Sequence, residues 1–156
     1  MDNRFHHLAR GIMIKGNKLL VARAKGYQNT FLPGGHIEFG ESAKDALERE
    51  IVEELGLRCT VKKFLGLVEH KWLKKGHMNC EINQLFLVEM EEVPVDENPQ
   101  SKEDHIEFFW ITINELNIYN LQPYPLRELI YNHVNGKKEL WWASSLNDEI
   151  DHFNVN

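Results

Sequence analysis

The stretch GHIEFGESAKDALEREIVEELGL, Gly35 to Leu57, decides the reading of this chain. It follows Phe31-Leu32-Pro33-Gly34, and the Pro-Gly-Gly run rules out regular structure there. Ser42 is a good N-cap, Asp45 completes a capping-box-like pair, and Gly56 sits where a glycine stop belongs. The spacing predicts a helix over 43–55. At about 100° per residue, Ala43, Ala46, Leu47, Ile51 and Leu55 fall on one apolar stripe, the core face. Glu54 falls inside that stripe, Glu50 close beside it and Glu53 on its flank. Like charges spaced as Glu50 is from Glu53 and Glu54 repel by roughly 0.2–0.5 kcal/mol each even when exposed. Near an apolar face desolvation costs much more. Glutamate-rich helices are ordinarily solvated, but here one acid sits on the wrong face. Hard divalent cations, which prefer carboxylate oxygens, suit such a cluster.

Outward from this helix, strands and helices alternate without repeats. Leu8 to Ile14 and Leu19 to Ala24 are apolar runs joined by Lys15-Gly16-Asn17-Lys18, a hairpin signal. Thr60 to Glu69 and Ile82 to Met90 are strand candidates linked through a basic loop over 71–76. Glu91 to Asp104 is the longest polar segment, Phe108 to Ile113 a further strand, and Leu126 to Val134 a helix stopped by Gly136. Residues 137–156 read as a C-terminal extension, its last dozen as a frayed tail. No composition shift divides the chain, so 1–156 is expected to form a single domain.

The composition excludes several classes. Eighteen Lys and Arg against 24 Asp and Glu give a net charge of −6, with 42% apolar and 27% charged residues among 156. That is too apolar for disorder. An acidic chain lacks the basic surface that nucleic acids call for. No run approaches the roughly 18 apolar residues of a membrane span. Cys59 and Cys80 provide no disulfide framework, and the opening MDNRFHHLARG has no signal-peptide pattern. The expectation is a cytoplasmic protein with neither nucleic-acid nor membrane partners.

The run from Gly35 to Leu57 resembles the Nudix signature G-x5-E-x7-R-E-U-x-E-E-x-G-U, where U is a bulky aliphatic residue. Gly35, Glu41, Arg49, Glu50, Ile51, Glu53, Glu54, Gly56 and Leu57 fill every fixed position. The order of elements around it agrees, including an E-x-x-W strand start at Glu107 to Trp110. The resemblance implies an α/β/α sandwich around a mixed β-sheet. It also implies metal-dependent hydrolysis of the pyrophosphate bond of a nucleoside diphosphate linked to another moiety, with Mg²⁺ as cofactor and Mn²⁺ as its substitute. By resemblance, Glu53 and Glu54 are the principal ligands, Glu50 is a further ligand or the base that orients water, and the Gly34 carbonyl completes the shell. Arg49 is read as a partner of Glu41 that locks the loop to the helix. A late-loop carboxylate is also expected: Glu103 first, with Asp104 and Glu107 as alternatives. A nucleotide-binding sensor that does not hydrolyse is the second reading; such proteins usually lose motif glutamates, and this chain keeps them.

Substrate contacts are less marked in the sequence. Arg23, Phe31, His36, His70 and Trp72 are the candidates, with surface or packing roles as the ordinary alternative for each. The eight histidines show no zinc-site spacing. Trp141-Trp142 suggests packing across a homodimer interface. The window Lys71 to Lys75 shows neither the proline that ADP-ribose hydrolases tend to carry there nor the tyrosine of dinucleoside polyphosphate hydrolases. A nucleoside triphosphate, a nucleotide sugar or a similar diphosphate all remain open as substrate.

Overall fold

Eight strands and two α-helices make up the fold of residues 3–90 and 93–150, which the computed structural model describes. The ends of the 91–104 loop and of the predicted frayed tail, residues 91–92 and 151–156, lie outside the described residues. Strands β1 (Arg4–Ile12), β4 (Gly34–His36), β5 (Thr60–Lys74), β6 (His77–Glu89) and β8 (Trp141–Ser144) form a five-stranded sheet in the order β4-β1-β6-β5-β8. It is mixed: β1 and β6 run parallel, as do β5 and β8, while β5 and β6 are antiparallel. Strands β2 (Ile14–Lys15), β3 (Lys18–Ala24) and β7 (Ile106–Thr112) form a second sheet. The predicted hairpin at Gly16 is real but short, because the chain leaves the larger sheet at Ile12 before β2 pairs with β3.

Two apolar layers hold the sheets between the helices. Ile12, Leu19, Val21, Leu85 and Ile111 pack under α2 (Pro125–Val134) through Leu126 and Ile130. Ala9, Leu20, Ala22, Phe86 and Phe108 pack under α1 (Ala43–Leu55) through Leu47, Ile51 and Leu55. Fully burying each such side chain contributes about 1.5–3 kcal/mol. The result is the expected α/β/α sandwich. Helix α1 has the predicted bounds: Ser42 accepts from the Asp45 N–H at 3.1 Å, and Gly56 closes it at φ 66°. No helix among the described residues is long and apolar enough to cross a membrane.

Two expectations change. The basic stretch over 71–76 is mostly strand, since β5 and β6 extend to a tight turn at Lys75-Gly76. The C-terminal extension is not simply a tail, for β8 joins the outer edge of β5 along Gly66 to Glu69. Trp141 is 4% exposed within this chain's own core, so it is not available to a dimer interface; Trp142 remains exposed. Gly66 makes that docking feasible: its φ is 146°, and a Cβ there would stand 2.0 Å from the Trp141 carbonyl oxygen. Gly66→Ala is expected to lower stability by more than about 1 kcal/mol, read as a lower denaturation midpoint. An unchanged midpoint would mean that β8 contributes little.

Candidate functional site

The site begins where β4 passes under α1. Gly34 has φ 131°, and a Cβ on it would meet the Ala9 carbonyl oxygen at 2.1 Å, so only glycine permits β4 to lie this close to β1. A Cβ on Gly35 would stand 2.5 Å from the Glu50 carboxyl carbon. The two glycines thus leave a gap that the glutamates of α1 enter.

Those glutamates occupy three environments. Glu53 is exposed, Glu50 half-buried and Glu54 only 5% exposed. Desolvation pushes the Glu54 carboxyl up to about 8; the Glu50 and Glu103 charges add to this, while the Arg10 charge and a hydrogen bond from the Gly34 backbone oppose it. Glu54 Oε2 is buried with no hydrogen-bond partner among the described residues. Burial likewise raises the Glu50 carboxyl, against hydrogen bonding by Arg49. A carboxylate buried this way carries its charge only at a cost in stability, and stays neutral unless a cation pairs with it.

Arg49 organises the loop. It grips Glu41 with both ends of its fork, Nε to Oε1 at 2.7 Å and Nη2 to Oε2 at 2.9 Å. Nη2 also donates to the His36 carbonyl at 3.1 Å, and Nη1 reaches Glu50 at 3.1 Å and Glu53 at 3.3 Å. The Arg49 bonds, with the Glu38 N–H, hold Glu41 down at about 2. A depressed carboxyl stabilises above its unfolded value of 4.5 and loses that contribution as pH falls toward 2. Arg49→Ala is therefore expected to lower both rate and thermal midpoint at pH 7, the midpoint gap narrowing as pH falls from about 4.5 toward 2. A constant gap would argue against the Glu41 link.

The late-loop acids separate clearly. Lys102 N donates to the Glu54 carbonyl at 2.7 Å, which ties this loop to the end of α1 and brings the Glu103 charge to bear on Glu54. Glu103 also lies 3.4 Å from His105. Asp104 is exposed. Glu107 is held by Arg23 at 2.6 Å, and the Arg23 guanidinium stacks 4.7 Å from the Phe109 ring centroid. Arg23 therefore belongs to the smaller sheet's surface and is not brought to the cleft described next.

That cleft lies on the α2 side of the larger sheet, measures about 140 Å³ and opens at Arg10, Phe31, His70, Trp72, Glu81 and Asn83. Cross-strand register arranges its floor in rungs. His6, Glu81 and His70 share one, Leu8, Asn83 and Val68 the next, and Arg10, Leu85 and Gly66 the third. Arg10 donates to the carbonyls of Gly34 at 2.9 Å and Leu32 at 3.1 Å, with its guanidinium 5.4 Å from the Phe31 centroid. Glu81 accepts from Trp72 Nε1 at 3.1 Å and Asn83 Nδ2 at 2.9 Å. His36 bonds His6 at 2.8 Å on the outer wall, and His6 stacks on Trp72. Of the five predicted contacts, Phe31, His70 and Trp72 line the cleft, and His36 is linked to it only through His6, which stacks on Trp72. Arg10, Glu81 and Asn83 escaped the sequence reading. Their signal was available: Asn79, Glu81 and Asn83 alternate into Leu85 on the core-facing side of β6, where apolar residues belong.

A family model described as NUDIX domain matches residues 5–131. The chain belongs to the Nudix family. It is 45% identical over 60 residues to an ADP-ribose pyrophosphatase from Methanocaldococcus jannaschii, an alignment covering 36% of each chain. The chain thus spans only about a third of that relative's length. It is 25% identical over 133 residues to an 8-oxo-dGTP diphosphatase from Buchnera aphidicola, covering 83% of this chain and 93% of that one. The MutT protein from Methanosarcina mazei has the same fold, with a TM-score of 0.65 at 20% identity over 88% of this chain and 99% of its own.

Nudix proteins generally use divalent metal ions. The donor chemistry here suits one: three glutamate carboxylates, one of which has a buried oxygen without a hydrogen-bond partner among the described residues, and the charge of Glu103 from the late loop. Among the described residues no three acidic, histidine or cysteine side chains already form a ligand cage. Arg49 holds Glu50 and Glu53 in the Nudix helix as it stands.

Proposed function

We propose that the chain hydrolyses the pyrophosphate bond of a nucleoside diphosphate linked to another moiety, with Mg²⁺ and with Mn²⁺ as substitute. The observation that carries this reading is the buried Glu54 Oε2, without a hydrogen-bond partner among the described residues, in a completely filled Nudix motif. Glu53 and Glu54 would hold the metal, with Glu50 as a further ligand or the base, and the Gly34 carbonyl and Glu103 as further oxygen donors. A bound Mg²⁺ neutralises the anionic oxygens of the diphosphate and lowers the pKa of a coordinated water.

The chain's own groups account for the rest. Glu50 is half-buried with a raised carboxyl, so it suits the role of accepting a proton from the attacking water. Arg10 supplies fixed positive charge beside Gly34, where the diphosphate would lie. Phe31 and Trp72 flank the cleft and offer apolar surface to the nucleoside. Water oxygen joins one phosphorus, the bridging phosphorus–oxygen bond breaks, and the products are a nucleoside monophosphate and the phosphorylated second moiety.

Incubation with Mg²⁺ and a panel of nucleoside triphosphates, ADP-ribose and nucleotide sugars tests the reading. Release of nucleoside monophosphate from at least one class is expected. Binding without turnover across the panel would make the chain a Nudix-fold nucleotide sensor instead.

A further inference from the structure

The family match ends at residue 131, yet the chain beyond it packs against His70 of the cleft wall. After β8, the Ser145 N–H donates to the Glu69 carbonyl at 3.1 Å, Lys71 Nζ to the Leu146 carbonyl at 2.8 Å, and the Tyr124 hydroxyl to Asp148. Ser145 is 2% exposed, and its hydroxyl lies 2.7 Å from His70 Nδ1. His70 is itself 4% exposed and meets the Tyr124 ring edge-on at 5.8 Å.

The other partner of Ser145 favours one direction for its bond to His70. The Lys71 N–H already donates to Ser145 Oγ at 3.2 Å. Were His70 Nδ1 also to donate, the serine would accept twice and its own proton would have no acceptor among the described residues. If Oγ–H donates to Nδ1, the serine hydroxyl and Nδ1 are both served, and the ring proton resides on Nε2. Burial also favours the neutral imidazole. Nε2 makes no hydrogen bond among the described residues, and His70 lines the cleft.

We propose that Ser145 is a positioning residue that holds His70 as its Nε2–H tautomer, presenting a neutral donor to an acceptor on the base of the bound nucleotide. The inference rests on the nucleotide reading of the cleft given above. Position and charge select the base over the phosphates. His70 shares a rung with Glu81, whose carboxylate repels a phosphate, whereas Arg10 and Gly34 mark the diphosphate end. The two rungs are four residues apart along β6, about 13 Å at the usual rise per residue. That is the scale of a ribose and base set beyond a diphosphate.

The test has two readouts, neither of which requires turnover. In ¹⁵N NMR of the full chain, His70 Nδ1 should resonate as an unprotonated and Nε2 as a protonated ring nitrogen. Ser145→Ala should mix the tautomers and Ser145→Thr should preserve them. In titrations, Ser145→Ala should weaken GMP and UMP binding five- to tenfold, leave ribose 5-phosphate unchanged, and be rescued by Ser145→Thr. If the chain also hydrolyses nucleotides, the loss should fall on KM with kcat held. A protonated Nδ1 in the wild type, an equal loss for ribose 5-phosphate, or no binding of GMP or UMP by the wild type would each overturn the proposal. Failure of the hydrolase reading alone would appear as normal GMP binding and tautomer with no pyrophosphate cleavage.

Discussion

Glu54→Gln is expected to lower kcat/KM at least a hundredfold while raising the thermal midpoint of the metal-free protein at pH 8. The substitution keeps shape and removes charge. A loss on the order of 3 kcal/mol of transition-state stabilisation gives the hundredfold effect, at about 1.36 kcal/mol per factor of ten. The stability change follows from linkage. The folded-state value of Glu54 is raised to about 8 from 4.5. Between those limits the folded protein holds a proton that the unfolded chain releases, so stability falls as pH rises from about 4.5 to about 8. Gln carries no such penalty. The measurement is the difference in midpoint between wild type and Glu54→Gln across this range, with chelator present. A variant that unfolds yet keeps its activity per folded molecule would make Glu54 structural and the metal assignment wrong.

Chelation is expected to abolish turnover and Mg²⁺ or Mn²⁺ to restore it, with full activity in stripped protein as the contrary result. Two further signs distinguish a metal at the acid cluster from one carried by the substrate alone. Because Glu54 must give up its proton to act as a ligand, metal binding below about pH 8 should release protons and strengthen as pH rises. A metal that binds only the folded chain also raises stability by mass action, by about 2.7 kcal/mol at a hundredfold excess over Kd. Calorimetry in buffers of different ionisation enthalpy reads the proton release, and a thermal scan with Mg²⁺ and no nucleotide reads the stabilisation. Metal that neither releases protons nor shifts the midpoint would remove the cluster from consideration.

The acid cluster was legible in the sequence because it is local. Ser42, Gly56 and the 3.6-residue period determine α1, and the same period turns Glu54 inward, so one calculation yields both the helix and its buried acid. The Arg49–Glu41 link was legible for the same reason, being eight residues long. The cleft was not. Arg10 meets Leu85 and His6 meets Glu81 only through the parallel pairing of β1 with β6, about 75 residues apart in sequence, and no local pattern announces a parallel partner. Arg23 shows the opposite case: a cation after an apolar run resembles a phosphate contact, and only the fold reveals its pairing with Glu107 of β7. The sequence around Trp141 to Ser144 carries little periodicity, so only its pairing with β5 shows that it forms a strand.

That pairing has a consequence for how the protein behaves in a crowded solution. The outer margin of β5 from Gly66 to Glu69 would otherwise present a row of unsatisfied backbone donors and acceptors, which is a template for a strand from another molecule. Trp141 to Ser144 occupy this row, and Trp141 turns its ring into the chain's own interior. The short eighth strand therefore acts as a cover against self-association as well as a support for the cleft wall. Cutting the chain before Trp141 should produce sticky material, and any activity lost on truncation has to be separated from simple precipitation before it is credited to His70 or Ser145.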